Sequence, residues 1–87
     1  MRIARVVASR RFDRDYRGLD ANRQAAVDQA IRDLCAESRP ASLRFHPLRG
    51  YKPKRFVVDI DTHHSWQMFL EIEGDTATLL SIRRHPK

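Results

Sequence analysis

The sequence predicts an α+β fold in which a helical hairpin packs on one face of an antiparallel sheet. Apolar residues recur at helical spacing between residues 10 and 37, whereas they follow strand spacing between residues 56 and 82. The chain has 87 residues, which is enough for one core between two layers of secondary structure. We therefore expect a single domain over residues 1–87, ending in a meander of three strands.

The opening of the chain predicts a short strand and a short helix. Residues 2–8 include three β-branched side chains, which favour a strand. Ser9 ends this strand and is a typical N-cap for a helix over about residues 10–18. Phe12 and Tyr16 lie four positions apart in that helix, so they are expected to share its buried face.

A second helix is predicted to begin after Asp20, another typical N-cap, and to run to about Glu37, where Ser38 and Pro40 end it. One apolar stripe marks its buried face. The stripe consists of Val27, Ala30, Ile31, Leu34 and Cys35. Cys35 is interpreted as a small core residue and not as a reactive thiol, because it lies on this stripe.

Three strands are predicted in the second half of the chain, over residues 56–60, 66–72 and 76–82. A polar turn joins the first two. Gly74 lies between the last two, where a tight hairpin needs the left-handed conformation that glycine adopts readily. Consecutive strands joined by turns predict antiparallel pairing.

Alternation along the last strand assigns its side chains to two faces of the sheet. It places Leu80 and Ile82 together on one face. It places Ala77, Leu79 and Ser81 together on the other.

Positive charge is concentrated in two segments of a chain whose net charge is +6 at pH 7. Residues 38–58 contain six basic residues and residues 76–87 contain three, and neither segment has an acidic residue. Residues 43–56 interleave Lys and Arg with aromatic rings, a composition that suits a phosphate backbone and its bases. If the two segments become neighbours, they form one basic patch for an acidic partner. The alternative is a solvated basic loop docked by its apolar residues.

Cysteine content and hydropathy indicate a cytoplasmic protein. Cys35 is the single cysteine, so no internal disulfide can form, which fits a reducing compartment. No signal peptide and no apolar run long enough to span a membrane is present, so no membrane partner is expected. Neither a nucleotide-binding glycine loop nor a zinc motif occurs, and we expect no metal and no cofactor.

Four histidines, His46, His63, His64 and His85, all fall at predicted ends of elements in the second half of the chain. Histidine is the side chain whose ordinary pKa lies near neutrality, so two of them can serve as base and acid on a phosphodiester without a metal. The alternative is that they are surface histidines. Their position beside the basic segments favours the catalytic interpretation.

Three motifs resemble those of the RelE/ParE superfamily of toxins from type II toxin–antitoxin systems, and most closely the YafQ-like mRNA interferases. They are residues 46–50 (His-Pro-Leu-Arg-Gly), residues 66–70 (Trp-Gln-Met-Phe-Leu) and residues 82–85 (Ile-Arg-Arg-His). The resemblance covers nearly the whole chain, as a strand, two helices, a basic loop and three strands. It implies the RelE/ParE-like fold.

The resemblance also implies a site. His46 and His85 match the catalytic histidines of the family. His63, His64 and Asp61 are further catalytic candidates, because a YafQ-like histidine and acid lie near this turn, whose length differs here. Expected to bind RNA phosphate are Arg44, Arg49, Lys52, Lys54, Arg55, Arg83 and Arg84. Expected to stack on bases are Tyr51 and Trp66.

The function implied is metal-independent, ribosome-dependent mRNA cleavage, silenced by a cognate antitoxin. Its partners are then the antitoxin and mRNA on the ribosome, and no homo-oligomer is expected without the antitoxin. A ParE-like inhibitor of DNA gyrase with the same fold is one alternative, favoured by the stop at Lys87 where many relatives continue. A non-enzymatic RNA-binding module is another.

Overall fold

Five strands form one sheet, and two helices cover one of its faces, in a computed structural model that describes residues 2–61 and 65–84. The α+β class predicted from the sequence is confirmed. The elements in chain order are β1 (Arg5–Ala8), α1 (Arg10–Arg17), α2 (Ala21–Cys35), a short 3-10 turn (Ala41–Leu43), β2 (His46–Leu48), β3 (Lys54–Asp59), β4 (Trp66–Glu73) and β5 (Thr76–Arg84).

Both helices begin at the predicted caps. The Ser9 hydroxyl accepts a hydrogen bond from the Phe12 N–H at 3.1 Å, and an Asp20 carboxylate oxygen accepts one from the Arg23 N–H at 2.8 Å. The two helices are tied together by the Tyr16 hydroxyl, which donates to Asp28 at 2.9 Å. Neither helix is long or apolar enough to cross a membrane.

The end of α2 corrects one prediction. Val27, Ala30 and Leu34 are buried as expected, but Cys35 is exposed and is the last helical residue. The helix therefore ends two residues before the predicted end at Glu37, and Ala36 is its C-cap. Cys35 lies about 100° around the helix from the buried Leu34, at the edge of the apolar stripe, and no further turn of helix follows to cover it.

The sheet has the strand order β1-β5-β4-β3-β2. β3, β4 and β5 form the predicted antiparallel meander, with Gly74 at φ 61° in the hairpin between β4 and β5. β1 pairs with β5 in parallel, which makes the whole sheet mixed. β2 pairs antiparallel with β3 and was not predicted, because three residues with a central Pro47 carry no strand pattern.

A register shift in β5 changes which of its side chains face the helices. Phe69 pairs with Ser81 while the next residue, Leu70, pairs with Leu79, so Leu80 is an extra residue in β5. Leu79 and Ile82 therefore both lie in the hydrophobic core. The strict alternation predicted for this strand, with these two residues on opposite faces, is wrong at this bulge.

Candidate functional site

The face of the sheet opposite the helices, here called the open face, carries most of the polar side chains of the central strands. In β3, Phe56 and Val58 join the core under the helices, so the alternate residues point the other way. Directly paired residues on neighbouring strands point to the same side, so the strand pairing identifies the residues of β2, β4 and β5 that share this face. Its members are His46 in β2, Arg55, Val57 and Asp59 in β3, Gln67, Phe69 and Glu71 in β4, and Ser81 and Arg83 in β5.

His46 is the first residue of β2 and lies opposite Val57, so its side chain belongs to the open face. The imidazole is exposed, and its Nδ1 lies 2.6 Å from the main-chain carbonyl oxygen of Arg44. A carbonyl oxygen can only accept, so in the neutral ring Nδ1 carries the proton and donates it to this bond. Nε2 is then the unprotonated nitrogen, and it is the atom able to accept a proton from a substrate.

Phe69 and Arg83 share the open face with His46, two and three strands away from it. Phe69 pairs with Val57, which pairs in turn with His46, so the three share one row across the sheet. The Arg83 guanidinium lies 5.1 Å from the centre of the Phe69 ring. The sequence analysis did not name Phe69 as a site residue. It could have done so, because Phe69 follows the core residue Met68 in a strand and must therefore point to the opposite face.

Arg55 occupies the other end of the open face. Its Nε donates to Glu71 at 3.3 Å, and its guanidinium lies 4.4 Å from the centre of the Tyr51 ring. Along the strand direction Arg55 and Arg83 are offset by four positions, or about 13 Å, and across the sheet they are two strands apart. The row of His46 falls midway along that offset, with His46 itself on the edge strand β2. The two basic segments therefore contribute to one face, but from opposite ends of it.

Arg44, predicted to bind phosphate, is held by the sheet. Its Nε lies 3.5 Å from Oδ2 of Asp59, whose side chain is only 3% exposed. The Gln67 side-chain amide donates to the other Asp59 oxygen at 3.4 Å. The sequence analysis did not name Asp59 or Gln67 as site residues. Its sole indication was that Asp59 is an acidic residue within the apolar run of β3.

Trp66 and Arg84 lie on the helix side of the sheet. Trp66 is half-buried against the core, and the guanidinium groups of Arg23 and Arg84 lie 5.1 and 5.6 Å from the centre of its ring. A base stacking on Trp66 would have to displace one of these arginines. Tyr51 is more open, with 44% of its surface exposed, although Arg55 covers part of its ring.

Asp61 follows β3 and forms hydrogen bonds with Ser65. Its carboxylate accepts hydrogen bonds from the main-chain N–H of Ser65 at 2.9 Å and from the hydroxyl of the same residue. Asp61 also lines an open groove of about 730 Å³ between α2, the 3-10 turn and the end of β3. The catalytic candidates His63, His64 and His85 lie outside the described residues. Arg49 and Lys52 are exposed in the loop between β2 and β3. Lys54 is exposed as the first residue of β3, and it pairs with the core residue Ile72, so its side chain is on the helix side of the sheet.

Comparison of the fold with solved structures finds several toxins. No protein-family model matches the chain, and no curated protein does. The RelB–RelE antitoxin–toxin complex of Methanococcus jannaschii contains a chain that is 15% identical, with a TM-score of 0.65 over 90% of this chain and 88% of that one. The Escherichia coli DinJ–YafQ complex gives 16% identity and a TM-score of 0.65, over 98% and 94% of the two chains.

A third similar structure is a conserved hypothetical protein of Helicobacter pylori, at 19% identity and a TM-score of 0.62 over 93% of each chain. At these identities the likeness is one of fold. The chain therefore has the RelE/YafQ fold, and the fold that the sequence motifs implied is confirmed.

Proposed function

We propose that this protein is the toxin of a type II toxin–antitoxin pair and a metal-independent endoribonuclease that cuts mRNA on the ribosome in the cytoplasm. The observation that carries the proposal is the open face, where a histidine with an available ring nitrogen stands on the edge strand β2 and its row falls between the rows of two arginines. Support for an antitoxin partner comes from the similar folds in an antitoxin–toxin complex and in the DinJ–YafQ complex.

The proposed reaction joins the ribose 2′-oxygen to phosphorus and breaks the bond from phosphorus to the 5′-oxygen. Nε2 of His46 accepts the 2′-hydroxyl proton as that oxygen attacks. The 5′-oxygen leaves with a proton from a second histidine, for which His85 is the sequence candidate because it follows Arg84 directly. Both protons are accounted for, and no redox partner is needed.

Positive charge on the open face stabilises the transition state of the same reaction. The attacked phosphate gains negative charge in the transition state, and a guanidinium beside it stabilises that charge. Arg83 and Arg55, on either side of the His46 row, are the arginines proposed for this role. Arg49 and Lys52 extend positive charge along the loop between β2 and β3, where they would follow the RNA backbone. Lys54 continues this charge at the start of β3, on the helix side of the sheet.

Aromatic rings on this face are suited to hold bases. Tyr51 and Phe69 both lie under an arginine, and a stacked base would add to the same column of ring and guanidinium. Phe69 is the nearer to His46 in register, so we expect a base next to the cut phosphate to stack there.

The test is mRNA cleavage with purified ribosomes, comparing the wild type with His46→Ala and His85→Ala. Each variant is expected to cut about a hundredfold or more slowly, the usual scale of a lost general base or acid. Both should keep the wild-type circular dichroism spectrum and should still bind the antitoxin.

DNA supercoiling by gyrase, measured in parallel, separates the alternatives. A wild-type protein that inhibits gyrase and leaves mRNA intact would overturn the nuclease in favour of the ParE-like function. RNA binding without cleavage would indicate a binding module. Cleavage that survives in both histidine variants would place the chemistry on other residues.

A further inference from the structure

We propose that Asp59 is a positioning residue, which acts through Arg44 to hold His46 in the orientation and tautomer that cleavage needs. The inference rests on the proposed function, because it concerns the same histidine. Asp59 touches neither His46 nor, in this scheme, the RNA. Its effect passes through one ion pair and one main-chain carbonyl.

Asp59 is buried in the sheet. It stands at the end of β3, directly after three buried apolar residues, and its side chain is 3% exposed. A buried carboxylate is costly unless charged or hydrogen-bonding groups surround it. Here Arg44 supplies the charge at 3.5 Å, and Gln67 donates at 3.4 Å from the adjacent strand. Asp59 is thus a fixed anchor within the sheet.

Arg44 has an unusual backbone conformation. This residue has φ 51° and ψ 47°, in the left-handed region that a side chain with a β-carbon disfavours. Such a conformation persists only where surrounding contacts determine it. Two contacts do so here: the Arg44 N–H donates to the Ala41 carbonyl at 3.1 Å, and its guanidinium is held by Asp59.

The main-chain carbonyl of Arg44 links this conformation to His46. Its direction is set by the left-handed backbone of Arg44, and it accepts the hydrogen bond from Nδ1 of His46 at 2.6 Å. This bond both orients the ring and keeps the proton on Nδ1. If the ion pair is removed, Arg44 can relax out of the left-handed region and its carbonyl turns away. The His46 ring is then free to rotate and to exchange tautomers.

Kinetics of mRNA cleavage give the first test. Asp59→Asn is expected to lower kcat by about tenfold or more with little change in KM, because the substitution disturbs geometry and not RNA affinity. In a His46→Ala background the same substitution should have no further effect. A raised KM with unchanged kcat would instead make Arg44 and Asp59 part of RNA binding, and would overturn the proposal.

Two substitutions at Arg44 separate its backbone from its charge. Both Arg44→Ala and Arg44→Gly remove the guanidinium, but glycine adopts a positive φ without strain. We expect Arg44→Gly to retain several times more activity than Arg44→Ala. Equal decreases would mean that the charge acts on the RNA directly, against the proposal.

Nuclear magnetic resonance tests the positioning even if the chain proves not to cut RNA. The ¹⁵N shifts of the His46 imidazole distinguish a ring protonated at Nδ1 from one protonated at Nε2. Wild type should show the Nδ1 proton, and Asp59→Asn should shift toward a mixture while its amide spectrum stays folded. Identical imidazole shifts in the two proteins would refute the positioning role, whether or not the proposed function holds.

Discussion

Both faces of the sheet are buried at their centre, but the buried side chains are apolar on one face and include several polar ones on the other. On the covered face, Met68 and Leu70 have no exposed surface and pack under the helices. On the open face, Asp59, Gln67 and Ser81 are nearly as buried, yet all three are polar. The Ser81 hydroxyl finds no hydrogen-bond partner among the described residues.

The difference shows that burial alone does not locate a core. Apolar burial adds to the free energy of unfolding, whereas a buried polar group costs stability unless it is fully paired. A protein keeps such groups where they serve a purpose other than stability. The covered face therefore supplies the stability of the fold, and the open face is the surface on which we propose the function to lie.

The largest expected effect contrasts Leu70 with its neighbour Phe69. Leu70→Ala should lower the free energy of unfolding by about 2–5 kcal/mol, because it leaves a cavity in a fully buried site. Phe69→Ala on the open face should cost clearly less, since its ring is only half-buried. Urea denaturation measures both. Equal decreases would mean that the open face is as much a core as the covered one.

The next effect compares two adjacent arginines on opposite faces. Arg83→Ala should slow mRNA cleavage by about tenfold or more, because Arg83 is on the open face, over the Phe69 ring that shares a row with His46. Arg84→Ala should change the rate much less, because its guanidinium covers Trp66 on the helix side. Single-turnover cleavage rates on ribosomes would show the contrast, and a larger effect at Arg84 would contradict the assignment of the faces.

A smaller effect concerns the exposed basic loop. Replacing Lys52 and Lys54 with alanine should weaken RNA binding and reduce its salt slope by about 0.7 for each RNA phosphate that is no longer neutralised. The matched control removes the same charge from α1, as Arg14→Ala with Arg17→Ala, and should leave the slope unchanged. Binding measured across a range of salt concentrations gives both slopes. Equal changes in the two double variants would indicate a general charge effect.

The smallest expected effect is the titration of Tyr16. Its hydrogen bond to Asp28, with some burial and the charge of that carboxylate, raises the pKa of Tyr16 above the ordinary 10.0. A raised pKa means that the unfolded chain releases this proton first, so the stabilisation is complete below pH 10 and falls as the pH rises through the folded pKa.

Asp28→Asn should therefore lower the pKa of Tyr16. Tyrosinate absorbance measured in a Tyr51→Phe background, where Tyr16 is the one remaining tyrosine, reports the shift. Stability above pH 10 should also fall less steeply in Tyr16→Phe than in the wild type. An unchanged titration in Asp28→Asn would show that the helix pair does not depend on this bond.

Local patterns in the sequence predicted the elements and much of the site. The caps Ser9 and Asp20, the α2 stripe up to Leu34 and the turn at Gly74 are confirmed, because each depends on residues within one or two turns of chain. Residue chemistry alone also identified His46 and the basic segments. Their catalytic and binding roles stay predictions.

Contacts between distant parts of the chain were decided by tertiary structure. Pairing of β1 with β5, the extra residue at Leu80 and the strand at Pro47 depend on registers that no local pattern encodes. The same holds for the link from Asp59 to Arg44, which joins residues fifteen positions apart. Periodicity determines which face of an element is apolar, whereas the free energy of packing the whole sheet selects which partners meet.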